Sequence, residues 1–183
     1  MLDLRYELPT DLLIGGEHFD IDTDFRVWLN WLENYDQNQW AGVEIFTGKK
    51  PKGVEWVQVA LDFAINEPAT PRAGGSSTGA RLVDFILDGE YIVGSFMQAY
   101  NIDLTSIEHM HWHLFLALFR SLPSSSKMAQ IMGYRGYSRS SSTKRPERIY
   151  AEQRDAWSLE HAQDREQNAE LLAWADDFFK GVD

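Results

Sequence analysis

The apolar run Leu12-Leu13-Ile14, then Gly15-Gly16, then Glu17-His18-Phe19-Asp20-Ile21 predicts a short hairpin. A Gly-Gly pair tolerates the positive φ of a two-residue turn, which sets Leu12 opposite Phe19 and puts Ile14 and Ile21 on the same face. Two strands cannot stand alone, so that face is expected to cover a helical core. Beyond the hairpin the apolar period changes to three and four. Thr23 or Asp24 can cap a helix with the stripe Phe25, Trp28, Leu29 and Leu32. After a break at Gly48, Pro51 and Gly53, the positions Val54, Val57, Ala60, Leu61 and Ala64 predict a second helix.

Residues 66–80, with Pro68, Pro71 and the run Gly74-Gly75-Ser76-Ser77-Thr78-Gly79, have the composition of a flexible loop. Across residues 88–100 the set Tyr91, Ile92, Ser95, Phe96 and Ala99 makes one helix face, followed by a short turn at residues 101–104. Thr105 with Glu108 matches a capping box, in which hydroxyl and carboxylate satisfy two backbone N–H groups at a helix start. The helix it would open is the most hydrophobic in the chain. Ile107, Met110, Trp112, Leu114, Phe115, Leu116, Leu118, Phe119 and Leu122 cover more than one of its faces, which predicts burial on several sides. Leu122-Pro123 stops it, and residues 124–126 can cap a short helix carrying Met128, Ile131 and Met132. A Ser-rich break at residues 138–143 precedes Pro146, placed where a helix begins comfortably, and a helical pattern then runs to Lys180. Its far stripe, Leu171, Leu172, Trp174, Ala175, Phe178 and Phe179, either packs on the core or anchors in a partner's groove. The expected fold class is mainly α: a single helical domain with a short N-terminal β-hairpin and a C-terminal helix. Residues 1–135 form the helical core domain, and 136–183 the Ser-rich basic connection and C-terminal helix.

With 183 residues, 44% hydrophobic and seven Trp among them, the chain can bury enough apolar surface to offset the entropy of ordering. The absence of cysteine excludes disulfides, thiolate metal sites and a Cys nucleophile, and makes a reducing cytoplasm the default. No basic n-region with an apolar h-region opens the sequence, and no stretch approaches about 18 uninterrupted apolar residues, so neither secretion nor membrane spanning is expected. A net charge of −11 argues against wholesale nucleic-acid binding, which needs clustered Lys and Arg. The charge is uneven. Residues 127–154 hold seven basic side chains (Lys127, Arg135, Arg139, Lys144, Arg145, Arg148, Arg154) against Glu147 and Glu152, a local +5 that leaves −16 elsewhere. Such asymmetry suits either a docking surface or an intramolecular complement to the acidic segments.

Candidate chemistry is sparse. His109, His111 and His113 alternate, and His109/His113 at i, i+4 would share a helix face as zinc ligands do. A zinc site wants a third ligand and an activating carboxylate, no His-Glu-x-x-His pattern exists, and only His18 and His161 remain. Asp20, Asp22 and Asp24 alternate like the start of a calcium loop, but Phe25 and Trp31 stand where Gly and Glu are required; hairpin exit and helix capping account for them. Gly74 and Gly79 have phosphate-loop spacing, but Ala80 and Arg81 replace the Lys and Ser/Thr, and no strand precedes them. There is no Gly-x-Ser-x-Gly elbow. No enzymatic function and no cofactor are expected.

Six blocks together carry a resemblance: Leu8-Pro9; Ile21-Asp22-Thr23-Asp24-Phe25-Arg26; Asp88 with Tyr91-Ile92 and Phe96; Tyr100-Asn101-Ile102-Asp103-Leu104; His111-Trp112 with Phe115; and Ile131-Met132-Gly133-Tyr134-Arg135. In this order they resemble the bacteriophage gene-product-fifteen family. In that family the gene lies just ahead of the tape measure gene in siphophages and in prophages of Gram-positive bacteria, which implies a tail assembly chaperone. Asn101 departs from the pattern, where glycine is expected before Ile102. The resemblance implies that Asp103 and Thr105 sit at a helix start, that His111, Trp112 and Phe115 lie within the buried helix, and that Tyr134 and Arg135 lie at a turn.

The expected function is therefore a tail assembly chaperone that binds the tape measure protein, with tail tube protein as a further partner and with self-association. It would act in the cytoplasm of the bacterial host and be missing from the mature virion. The alternative is a structural virion component, a tail completion or head–tail connector protein. Partner-binding candidates are the basic Arg135, Arg139, Lys144, Arg145 and Arg148 and the apolar Leu171, Leu172, Trp174, Phe178 and Phe179.

Overall fold

In the computed structural model, residues 7–34, 43–65, 82–137 and 145–159 are described, and the chain within them is mainly helical. Strands β1 (Asp11–Ile14) and β2 (Glu17–Asp20) precede helices α1 (Phe25–Asn34), α2 (Trp56–Ile65), α3 (Gly89–Tyr100), α4 (Trp112–Arg120), α5 (Lys127–Arg135) and α6 (Arg145–Ala156), with a 3-10 turn at Val43–Ile45. The expected loop at 66–80, the break at 138–143 and the segment 160–183 lie outside the described residues. The chain divides into two compact units, Met1–Gly74 with Asp103–Ser121, and Gly75–Ile102 with Leu122–Asp183.

In the first unit the hairpin forms in the expected register. Gly15 and Gly16 take φ of 59° and 84°, Leu12 pairs with Phe19, and Leu12, Ile14, Phe19 and Ile21 are all buried. Ile21 also bridges to Phe46, which brings the turn at Val43–Ile45 alongside. The hairpin covers a core of aromatic rings: Phe25 stacks on Phe115 at 4.7 Å, Trp31 lies 6.1 Å from Trp56, and Phe46 meets Trp56 edge-on at 5.5 Å. The buried indoles keep their N–H groups bonded, Trp28 Nε1 to the Asp22 carbonyl at 2.8 Å and Trp112 Nε1 to the Ala64 carbonyl at 2.9 Å.

Two helix faces differ from the expected stripes. In α1 the buried face is Phe25, Trp28 and Trp31, with Leu29 and Leu32 only half-buried. The helix is rolled so that two indoles, which have more apolar area to remove from water than leucine, point inward. In α2 the face is Trp56, Ala60 and Ala64, while Val54 precedes the helix and is exposed.

The expected capping box at Thr105 and Glu108 does not form, and α4 starts seven residues after Thr105. Asp103 captures the Thr105 hydroxyl as a donor at 2.6 Å, the Thr105 N–H at 2.9 Å and the Ser106 hydroxyl at 2.9 Å. These bonds to its ionised form, the Thr105 hydroxyl first, hold the Asp103 pKa below its ordinary value. Residues 110–112 then run extended beside 23–25, with Phe25 N–H donating to Met110 O and Trp112 N–H to Thr23 O. The extended pairing holds Met110 and His111 out of helical conformation, so α4 begins only at Trp112. Within α4, Trp112, His113, Phe115, Leu116 and Phe119 are buried and Leu114 is exposed.

In the second unit Asp88 precedes α3, and Asn101 ends it in the left-handed region (φ 54°, ψ 37°), with its N–H returned to the Met97 carbonyl. The glycine expected there and the asparagine found are the two residues that most readily adopt this backbone at a helix end. Ser126 caps α5 as expected, its hydroxyl accepting from Ala129 N–H, and Ser95 Oγ accepts from Met128 N–H at 3.1 Å. Ile92, Phe96, Met128 and Ile131 are the buried apolar residues. Pro146 falls in the first turn of α6.

Candidate functional site

Arg135, one of the basic residues considered for a docking surface, is turned inward from the last turn of α5. Its guanidinium meets Asp88 in a two-pronged pair, Nη2 to Oδ1 at 2.8 Å and Nη1 to Oδ2 at 2.5 Å. Nη1 also donates to the Leu82 carbonyl at 3.0 Å and Nε to the Trp157 carbonyl at 2.7 Å. The side chains are 4% and 2% exposed. A planar donor fork is suited to this task, since it satisfies a buried carboxylate and two carbonyls at once. Asp88 Oδ2 accepts from Asp84 N–H as well, and Asp84 Oδ1 accepts from the N–H groups of Ile86 and Leu87, so the approach to α3 is fixed by the same cluster. The Arg135 charge is thus engaged inside the second unit, a correction to its placement on the surface and at a turn. Its partner lies 47 residues away, so no local pattern marks it.

Arg139, Lys144, Leu171, Leu172, Trp174, Phe178 and Phe179 lie outside the described residues, and Arg145 opens α6. Arg148 is exposed on α6 and pairs with Glu152 at 3.3 Å. An exposed i, i+4 pair of this kind adds at most a few tenths of a kcal/mol, about 0.3–0.5.

Among the described residues of the second unit the exposed large apolar side chains are Leu82, Ile86, Met97, Ile149 and Tyr150, and Tyr150 belongs to a cluster of rings. Tyr150 on α6 stacks against Tyr137 at 5.5 Å and lies 6.3 Å from Tyr134, while Tyr150 and its neighbour Ile149 are 49% and 48% exposed. Apolar residues scattered singly over a surface mean little, but rings clustered beside an exposed isoleucine form a patch of the kind found at protein interfaces. At the other end of α6, Trp157 meets Tyr91 edge-on and carries the Lys127 ammonium 4.2 Å from its ring centre. Sequence reasoning did not single out this patch. The available signal was Ile149-Tyr150 within the otherwise polar Arg145–Ala156 helix, together with Tyr134 and Tyr137.

The first unit has its own polar clasp. Asp24 Oδ1 accepts from Arg26 N–H at 3.0 Å at the start of α1, and its Oδ2 accepts from Met110 N–H at 3.1 Å. Arg26 returns to Asp24 and donates through Nη2 to the carbonyls of Leu104 and Ile107. Asp22 Oδ1 accepts from Asp24 N–H, so hairpin exit and capping do account for these carboxylates.

The three histidines are engaged separately. His109 Nε2 lies 3.1 Å from Thr23 Oγ1, His111 Nε2 is 2.9 Å from the Pro9 carbonyl, and His113 Nε2 is 2.9 Å from the Phe63 carbonyl. His111 Nδ1 also accepts from His113 N–H, which makes His111 the cap of α4. His109 is not on that helix, so the expected i, i+4 face does not exist. Among the described residues no three His, Cys, Asp or Glu side chains are grouped to hold a metal ion, and no helix is long and apolar enough to cross a membrane.

These features define a mainly α protein with an N-terminal hairpin, a polar clasp in each unit and a tyrosine patch on α5 and α6. Residues 52–159, more than half of the chain, match the family model described as Bacteriophage Gp15 protein, and the chain belongs to that family. The chain has no match among curated proteins or solved structures. The matched region spans α2 to α6 and includes both Asp88 and Arg135 as well as the tyrosine patch.

Proposed function

We propose that this bacteriophage protein is a tail assembly chaperone that binds the tape measure protein during tail morphogenesis in the host cytoplasm. The observation that carries the reading is the ring cluster in which exposed Tyr150, next in sequence to exposed Ile149, meets half-buried Tyr134 and Tyr137, located in the part of the chain that matches the phage family. The resemblance of the sequence to proteins encoded just ahead of a tape measure gene supplies the client. Tyrosine suits such work, because it offers large contact area with few rotatable bonds and a hydroxyl that tolerates water before the client arrives. A tape measure protein is long, so many copies engaging it weakly along its length gain avidity that one site cannot supply. Self-association of the coating copies and contact with tail tube protein belong to the same reading.

Co-expression of the tagged chain with the tape measure protein, followed by affinity purification and by mass spectrometry of purified particles, tests this. The expected outcome is a co-purified complex in lysate and absence of the protein from mature virions. Stoichiometric presence in virions would replace the chaperone with a tail completion or head–tail connector protein.

A further inference from the structure

We infer that His111 is an acid-sensitive latch on α4: its imidazole caps the helix only while Nδ1 carries no proton. The assignment follows from its partners. The His113 backbone N–H can only donate, so Nδ1, 3.0 Å away, must be the bare acceptor. The Pro9 carbonyl can only accept, so Nε2 at 2.9 Å must carry the proton. One neutral tautomer satisfies both contacts, and no other protonation state does. Adding a proton to Nδ1 sets two N–H groups against each other; the cap is abolished, and the bond to Pro9 survives.

The neighbouring histidines lack this property. His113 must already carry a proton on Nε2 to donate to Phe63 O, and a second proton on Nδ1 leaves that bond intact. His109 faces the Thr23 hydroxyl, which can donate or accept as required. The charged and titratable groups around the latch, among the described residues, come from three segments. On its own segment they are His109 and His113. From residues 22–26 comes Asp24, whose oxygens are already engaged by Met110 N–H, Arg26 N–H and the Arg26 guanidinium. From α2 the neighbours are uncharged, the Phe63 ring at 6.4 Å and, against His113, the Phe63 carbonyl. Arg120 bears on His113.

Burial is the leading reason that both His111 and His113 ionise below the ordinary histidine value of 6.5, with the charges of neighbouring cations acting in the same direction and the bonds to Pro9 and Phe63 opposing it. A depressed folded value means that the unfolded chain takes up the proton first. The associated stability is therefore fully present above about pH 6.5 and is lost as pH falls through the lower folded values. At His111 that loss has a defined structural consequence: the first turn of α4 loosens where residues 110–112 pair with 23–25.

Nitrogen NMR of the His111 ring and amide exchange at His113, corrected for the intrinsic pH dependence of exchange, test the latch in the full chain. The expected result is the Nε2–H tautomer at pH 7.5, with protection of the His113 amide falling about five-fold as His111 titrates, the scale of one lost helix cap. His111→Asn keeps an acceptor oxygen and cannot titrate, so it should retain protection at pH 7.5 and remove the acid-dependent loss. An Nδ1–H tautomer, unchanged His113 protection across the His111 titration, or a wild-type acid response in the His111→Asn variant would each overturn the inference. If the variant does not fold, the wild-type titration decides alone.

Discussion

The two units use the same device, an arginine paired with an aspartate and also donating to backbone carbonyls, in opposite surroundings. In the first, Arg26 and Asp24 are 41% and 13% exposed, and eighteen apolar residues are buried among those described, four of them tryptophan. In the second, Arg135 and Asp88 are 4% and 2% exposed, and only four apolar residues are buried among those described. The same contact therefore carries different weight. Where water reaches the guanidinium and an aromatic core supplies the burial energy, the pair mainly orients the chain. Where the pair is dry, removing one partner strands an uncompensated charge.

The largest effect should follow from breaking the dry pair. Arg135→Met leaves Asp88 buried and unpaired, with an expected loss of about 3–5 kcal/mol by chemical denaturation. Arg26→Met removes a comparable set of bonds, but water can replace them, and a loss of about 1.5 kcal/mol is expected. Equal losses at the two sites would break the comparison. Asn101→Ala sharpens it within the second unit, because it forces a Cβ-bearing residue without a local hydrogen-bonding group into left-handed backbone. About 1 kcal/mol should be lost, while Asn101→Gly should stay within a few tenths of wild type.

Much of the fold was legible because its signals are local. Gly15-Gly16 needs positive φ at both residues, and that alone sets the hairpin register; Ser126 before Met128 and Ile131 announces α5 in the same way. The errors share a cause, which is competition from elsewhere in the chain. Thr105 and Glu108 satisfy the capping-box pattern, yet Asp103 takes the Thr105 hydroxyl, and the pairing of residues 110–112 with 23–25 delays α4 until Trp112. Phe25 and Trp28 lie on the buried face of α1 as expected, but spacing alone does not say which of two adjacent apolar faces turns inward, and Trp31 takes the place of Leu29 and Leu32. The site was less legible still. A basic residue in a basic stretch reads as surface, and only the fold brings Arg135 to Asp88. The tyrosines sit too far apart in sequence to form a stripe, and they become a patch only when α6 returns beside α5.

The second unit is held by the Asp88–Arg135 pair inside, and the proposed docking surface is the tyrosine patch outside. Isothermal titration of a helical tape measure segment against the wild type and the Ile149→Asp, Tyr150→Asp double variant tests it most directly. The variant should bind at least about thirty-fold more weakly, the scale of an interface anchor worth about 2 kcal/mol or more, with the thermal midpoint unchanged. Equal affinity in the two proteins would contradict it.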